Sequence, residues 1–247
     1  MVSSTVNGTT TAYAYAGASQ DQLLTESISG GAAYTFTYGR NSGQGVPEID
    51  TETSAGATSR VLSDAANGQV LGLTNSAGDT AAFVVDGTNN QVAALTDTGT
   101  VAFQAAYDPY GTGGVSSGGS SSFWTQNPYG FCAGDRTSTS QGGLVKFGQR
   151  WYNTATGNWT QQDTLDAPLD PSNADRYAYA GGDPVNATDP RGLASFLNCT
   201  VAYLGLLLTT GLLIGAVAAG PIGFGASLIA YGFASYAVLA DCYGIGD

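Results

Sequence analysis

Few side chains in this sequence can do acid–base or nucleophilic chemistry. The 247 residues contain no histidine, which removes Ser-His-Asp and Cys-His catalysis and any His-ligated metal. The three cysteines, Cys132, Cys199 and Cys242, show no metal-type spacing. A Cys199–Cys242 disulfide is conceivable, but no spacing rule demands it. No metal and no cofactor is expected. What remains is carboxylate chemistry, in which an aspartate serves as general acid or base according to its surroundings. Its concentrated source is the stretch from Asp163 to Asp189, with Asp166, Asp170, Asp175 and Asp183 in between. The plainer reading of such residues is structural, as turn openers like Asp189-Pro190.

The elements around this stretch read mainly as β-structure. Tyr34, Phe36 and Tyr38 alternate with Thr35 and Thr37, the period of a half-buried strand. Turn signals recur at Asn67-Gly68, Ala77-Gly78-Asp79, Asp86-Gly87 and Thr98-Gly99, and the Asn-Gly and Asp-Gly pairs suit primed hairpin turns. The run from Leu73 to Asp86 is echoed by Leu95 to Asp108, with the two aspartates 22 residues apart. That period fits stacked hairpins that bury their faces against neighbours, or two similar hairpins in an ordinary sheet. Residues 112–122 (TGGVSSGGSSS) read as a flexible Gly/Ser loop.

Charge separates the chain into two parts. With 19 acidic and 7 basic residues the net charge is −12, and no basic run is present to displace counterions from a nucleic acid. The 36 glycines lack a three-residue period, and 43% apolar with 11% aromatic residues argues against full disorder. From Gly192 to Ala240 there are 49 positions without a charge. Residues 200–220 and 222–240 are apolar segments near the roughly 20 residues that cross a bilayer, and Gly220-Pro221 separates them as a helix stop. Gly211, Gly215, Ala219 and Gly223 put small residues on one helix face. The expectation is a C-terminal apolar α-helical hairpin inserting into a lipid membrane through residues 200–240, or else a helical pair shielded inside a protein shell. The N-terminus has neither a basic region nor an apolar core, so no Sec signal peptide is read there. It starts as though already inside a strand array, the look of a C-terminal fragment of a longer architecture or of a short member of one.

Two ordered stretches carry a family resemblance. Arg150-Trp-Tyr-Asn-Thr-Ala-Thr-Gly-Asn-Trp-Thr-Gln-Gln-Asp163 precedes Arg176-Tyr-Ala-Tyr-Ala-Gly-Gly-Asp-Pro-Val-Asn-Ala-Thr-Asp-Pro-Arg-Gly-Leu193. Together they resemble the Rhs repeat-associated core domain of Rhs and Tc-type toxins, and Tyr107-Asp-Pro-Tyr-Gly111 resembles the tyrosine–aspartate repeat that precedes it. The resemblance covers about residues 30–193. It implies a YD-repeat-type antiparallel sheet forming part of a spiral shell over residues 1–111, and a core over 123–193 ending in Asp-Pro-Arg-Gly-Leu. A variable tip, 194–247, would follow.

The resemblance also implies an aspartyl autoprotease. Asp163 and Asp189 would be its paired carboxylates and Arg150 the arginine that holds one of them charged, with cleavage between Leu193 and Ala194. Two close carboxylates do not both ionise easily, so one would keep a proton. The implied partners are the rest of the shell and a cognate immunity protein, in a secreted toxin or at the cell envelope. This sequence departs from the family pattern after Asp163, where Thr164-Leu165-Asp166 follows and extra residues fill 166–175. It departs again at Tyr152-Asn153-Thr154, where Tyr-Asp-Pro is usual. Other readings are a membrane-anchored remnant without enzymatic function and, from the 14 Tyr and 3 Trp, a carbohydrate-binding sheet.

Overall fold

The structure, a computed structural model, describes residues 1–43, 45–136, 143–163 and 175–193. Period-2 alternation builds eleven strands: β1 (Ser3–Val6), β2 (Thr9–Ala16), β3 (Gln22–Ile28), β4 (Ala33–Asn41), β5 (Pro47–Ser54), β6 (Ala57–Ser63), β7 (Val70–Thr74), β8 (Thr80–Val85), β9 (Gln91–Thr96), β10 (Val101–Tyr107) and β11 (Gly113–Ser117). They pair antiparallel in chain order, so the sheet is a continuous meander. In β4, Phe36 is buried and Tyr34 and Tyr38 half-buried, while Thr35 and Thr37 are exposed, as the alternation predicts.

The outer face needs little charge because threonines satisfy one another across strands. Thr37 and Thr51 hydroxyls lie 2.6 Å apart, Thr53 and Thr58 2.8 Å, and Thr5 and Thr10 2.9 Å. Cross-strand hydroxyl pairs of this kind support a sheet face without apolar burial.

One turn design joins the strands from β7 to β11. Asn75, Asp86 and Asp108 each accept, through the side-chain oxygen, the backbone N–H groups two and four residues on. Thr96 does the same for the N–H of Thr100. The fourth residue of each turn takes positive φ: Gly78, Asn89, Gly99 and Gly111. The aspartates of the 22-residue echo are thus turn caps. Asp86-Gly87 is not a primed two-residue turn, because positive φ falls at Asn89 rather than Gly87. Two-residue turns with positive φ at both positions occur instead at Asn7-Gly8 and Ala55-Gly56.

The loop expected at 112–122 is also corrected. Residues 113–117 are strand β11, paired with β10. Glycine serves there for close approach, since a Cβ on Gly113 would lie 2.2 Å from the Ala106 carbonyl oxygen. A short helix, α1 (Ser122–Thr125), follows, with the Ser121 side chain accepting from the Phe123 N–H.

The inner face of the meander packs on a smaller sheet of β12 (Asp135–Arg136), β13 (Leu144–Phe147), β14 (Arg150–Asn153) and β15 (Asn158–Trp159). Tyr13 meets Trp151 with ring centroids 4.6 Å apart, and Phe103 meets Trp124 at 5.1 Å. The Tyr129 hydroxyl accepts from the Ile49 N–H at 2.8 Å. Among the described residues no helix is long and apolar enough to cross a membrane. The expected hairpin with Gly211, Gly215, Gly220 and Pro221 falls in 194–247, outside the described residues.

The interface between the sheets buries carboxyl groups. Burial pushes Glu52 from its ordinary 4.5 up to about 7, against the pull of Arg136. It pushes Asp135 up to about 6, against Lys146. The folded state therefore holds protons that the unfolded chain releases between about pH 4 and 7, and stability falls as pH rises through that window. Urea midpoints measured from pH 5 to pH 8 will decline, and Glu52→Gln will flatten that decline.

Candidate functional site

The turn between β13 and β14 brings the predicted site residues together. Arg150 opens β14 and is buried, as is Asp189. One guanidinium nitrogen, Nη2, lies 2.8 Å from Asp163 Oδ2 and 3.0 Å from Asp189 Oδ2. Arg150 Nε donates to the carbonyl oxygen of Gly192, and the Leu193 N–H donates to Asp189 Oδ1 at 3.0 Å. Paired carboxylates, arginine and the residue before the expected cleavage bond thus share one place. Ala194 lies outside the described residues.

The local sequence explains this convergence. Asp189-Pro-Arg-Gly-Leu193 folds as the same capped turn as Asp108-Pro-Tyr-Gly-Thr112. The Gly192 N–H reaches the Asp189 carbonyl at 3.2 Å, the Leu193 N–H reaches its side chain, and Gly192 has φ +65°. The turn-opener reading of Asp189 is met by this geometry. The difference from Asp108 is burial against Arg150. Backbone meets backbone here: a Cβ on Gly148 would lie 2.2 Å from the Arg191 carbonyl oxygen, and one on Gly192 2.6 Å from that of Phe147. Neither position has room for a side chain.

Asp163 is held from the other side. Its N–H donates to the Arg176 carbonyl at 3.1 Å, and Arg176 Nε donates back to the Asp163 carbonyl at 3.0 Å. Asp163 and Arg176 therefore close on each other, and Asp163 meets Arg150. Residues 164–174 themselves lie outside the described residues. Arg176 stands inside the family-like stretch, yet nothing in its spacing marks this pinning role.

Arg150 is charged in a nearly dry setting. Burial pulls its guanidinium below the ordinary value, while Asp189 and Asp163 push it back up. Its Cζ stands 4.1 Å over the Trp159 ring, whose π-face substitutes for part of the lost hydration. Trp159 in turn belongs to a cluster with Phe147, Tyr152 and Tyr179. Nη1 is buried without a hydrogen-bond partner among the described residues. The guanidinium, expected to hold one carboxylate charged, meets both and so offsets their repulsion.

No family model matches the chain, and no curated protein matches it. Solved structures do. The crystal structure of TcdB2-TccC3 is 18% identical over 77% of this chain and 8% of that one, with a TM-score of 0.43. TcdB2-TccC3-Cdc42 is 16% identical over 75% and 8%, with a TM-score of 0.44. The Tc holotoxin pore of Photorhabdus luminescens, in a TccC3 mutant, is 14% identical over 77% and 9%, with a TM-score of 0.46. The present chain spans less than a tenth of each.

Truncating Arg150 leaves a buried Asp189 charge without its partner. Arg150→Ala is expected to lower unfolding free energy by about 3–5 kcal/mol, read by urea denaturation. Asp108→Ala, which removes only an exposed turn cap, is expected to cost about 1 kcal/mol in the same assay.

Proposed function

We propose that this chain is the C-terminal part of an Rhs-type toxin, in which the core cuts its own backbone between Leu193 and Ala194. The observation that carries this reading is the Arg150 cluster. It fixes two aspartates, the Gly192 carbonyl and the Leu193 N–H at the end of the resemblance, where the charge-free tail begins.

The roles follow from exposure and contacts. Asp163 is the more exposed carboxylate, at 18% of its side chain against 2% for Asp189. It takes a proton from water as the water oxygen attacks the Leu193 carbonyl carbon. The C–N bond to Ala194 breaks, and the same proton passes to the departing nitrogen. Leu193 ends as a carboxylate and Ala194 as an ammonium. Asp189 and Arg150 position the bond, one through the Leu193 N–H and the other through the Gly192 carbonyl.

Mass spectrometry of the expressed chain is expected to find residues 1–193 and 194–247 as separate species. Asp163→Asn and Asp189→Asn will leave it whole. The second variant is the sharper test, because an asparagine oxygen still caps the turn. A wild-type chain that stays intact on prolonged incubation sinks the reading.

Residues 194–247 would be the released tip, acting on a lipid membrane as an inserted hairpin and matched by an immunity protein. The 49 charge-free positions support this. A peptide spanning the region is expected to release dye from liposomes, and failure at every lipid composition removes the membrane role. The membrane-anchored remnant makes the opposite prediction at Leu193, namely no cut.

A further inference from the structure

Thr188 and Pro190, the neighbours of Asp189, also form part of the wall of a separate cavity of about 620 Å³. It lies between the β4–β5, β6–β7 and β8–β9 turns and the core residues Tyr129 and Phe147. This volume is in the range of small-molecule sites, roughly 300–1,000 Å³. Much of the wall is apolar, with Val46, Val70 and Phe147 facing the space.

Glu48 breaks that apolar wall. It is 8% exposed, and its Oε2 is buried without a hydrogen-bond partner among the described residues. Ser63 hydrogen-bonds the carboxyl. Among the described residues no cation forms an ion pair with it, although the charge of Arg40 acts on it from a distance. Lys146 Nζ donates to the Asp21 and Gly148 carbonyls and lies 3.9 Å from Asp135. Arg40 donates to the Asp64 and Ala65 carbonyls at 3.3 and 2.6 Å. Burial pushes Glu48 from its ordinary 4.5 up to about 7, against the opposing pull of Ser63 and Arg40. A buried acceptor of this kind costs free energy until a donor reaches it.

We propose that the cavity binds a small organic ammonium ion, its N–H groups donating to Glu48 Oε2 and its carbon chain lying against Val70 and Phe147. A lone water would satisfy the oxygen but leave the apolar wall unfilled. Thr188 and Pro190, on either side of Asp189, line the same cavity, so binding is expected to change the rate at which the Leu193–Ala194 bond is cut. That coupling rests on the self-cleavage reading, whereas the binding does not.

Calorimetry on the full chain carrying Asp163→Asn tests the binding, with pentylammonium chloride as probe at pH 8. Saturable binding is expected, with none for pentanol or pentanoate. Glu48→Gln is expected to weaken it at least about tenfold, the loss of one charge-assisted hydrogen bond. Val46→Trp, which fills part of the space and keeps the carboxylate, is expected to abolish it. No saturable heat, or equal binding by Glu48→Gln, overturns the proposal. Wild-type cleavage timed with and without pentylammonium tests the coupling, and an unchanged rate at saturation overturns it. A wild type that never cleaves overturns the self-cleavage reading while the calorimetry stands.

Discussion

A single guanidinium group organises the core. Arg150 meets two carboxylates and a backbone carbonyl in a setting with little water. None of these groups is stable there alone, because a buried charge without a partner is strongly unfavourable. Together they compensate one another, and Trp159 supplies the face that water would otherwise cover. The placement of the 189–193 turn, the closure of Asp163 and Arg176 on each other, and the two crowded glycines all serve this one meeting point. A second arginine repeats the device at lower complexity: Arg136 stands 4.3 Å over Trp124 and donates to its carbonyl.

The site is built from an ordinary part. Asp108 and Asp189 open the same five-residue turn, with the same bonds from the fourth and fifth residues. At Asp108 the turn lies at the surface and links two strands. At Asp189 it is pressed onto the Phe147–Arg150 backbone, and its carboxylate meets a guanidinium. Burial and one partner convert a structural cap into a group with chemical potential, without any change of backbone design.

How legible this was depends on range. The strand at 34–38 could be read because alternation is local, and the aspartates at 86 and 108 could be placed at strand ends because turn chemistry is local. Residues 113–117 were misread because their glycines signal flexibility by composition, whereas here they permit the approach of the β10 backbone. Gly87 was misread because Asp-Gly fits several turns, and the Asp86 side-chain bonds select a longer one. The pairing of Asp163, Asp189 and Arg150 came only through resemblance, since the two acids stand 26 positions apart. Glu48 carried no signal, because its burial depends on three turns and a distant core. The 49 charge-free positions remain a compositional fact, lying almost wholly outside the described residues.

The meander pairs every strand with its successor, yet the core rests on the start of the chain. Trp151 packs on Tyr13 and donates to the Tyr15 hydroxyl, and Lys146 reaches the Asp21 carbonyl. Synthesis proceeds from the N-terminus, and early segments fold first. Strands β2 and β3 are thus made before the core that rests on them, and Asp189 follows both. Timing is written into the topology: the proposed cut waits until the platform that supports it is finished.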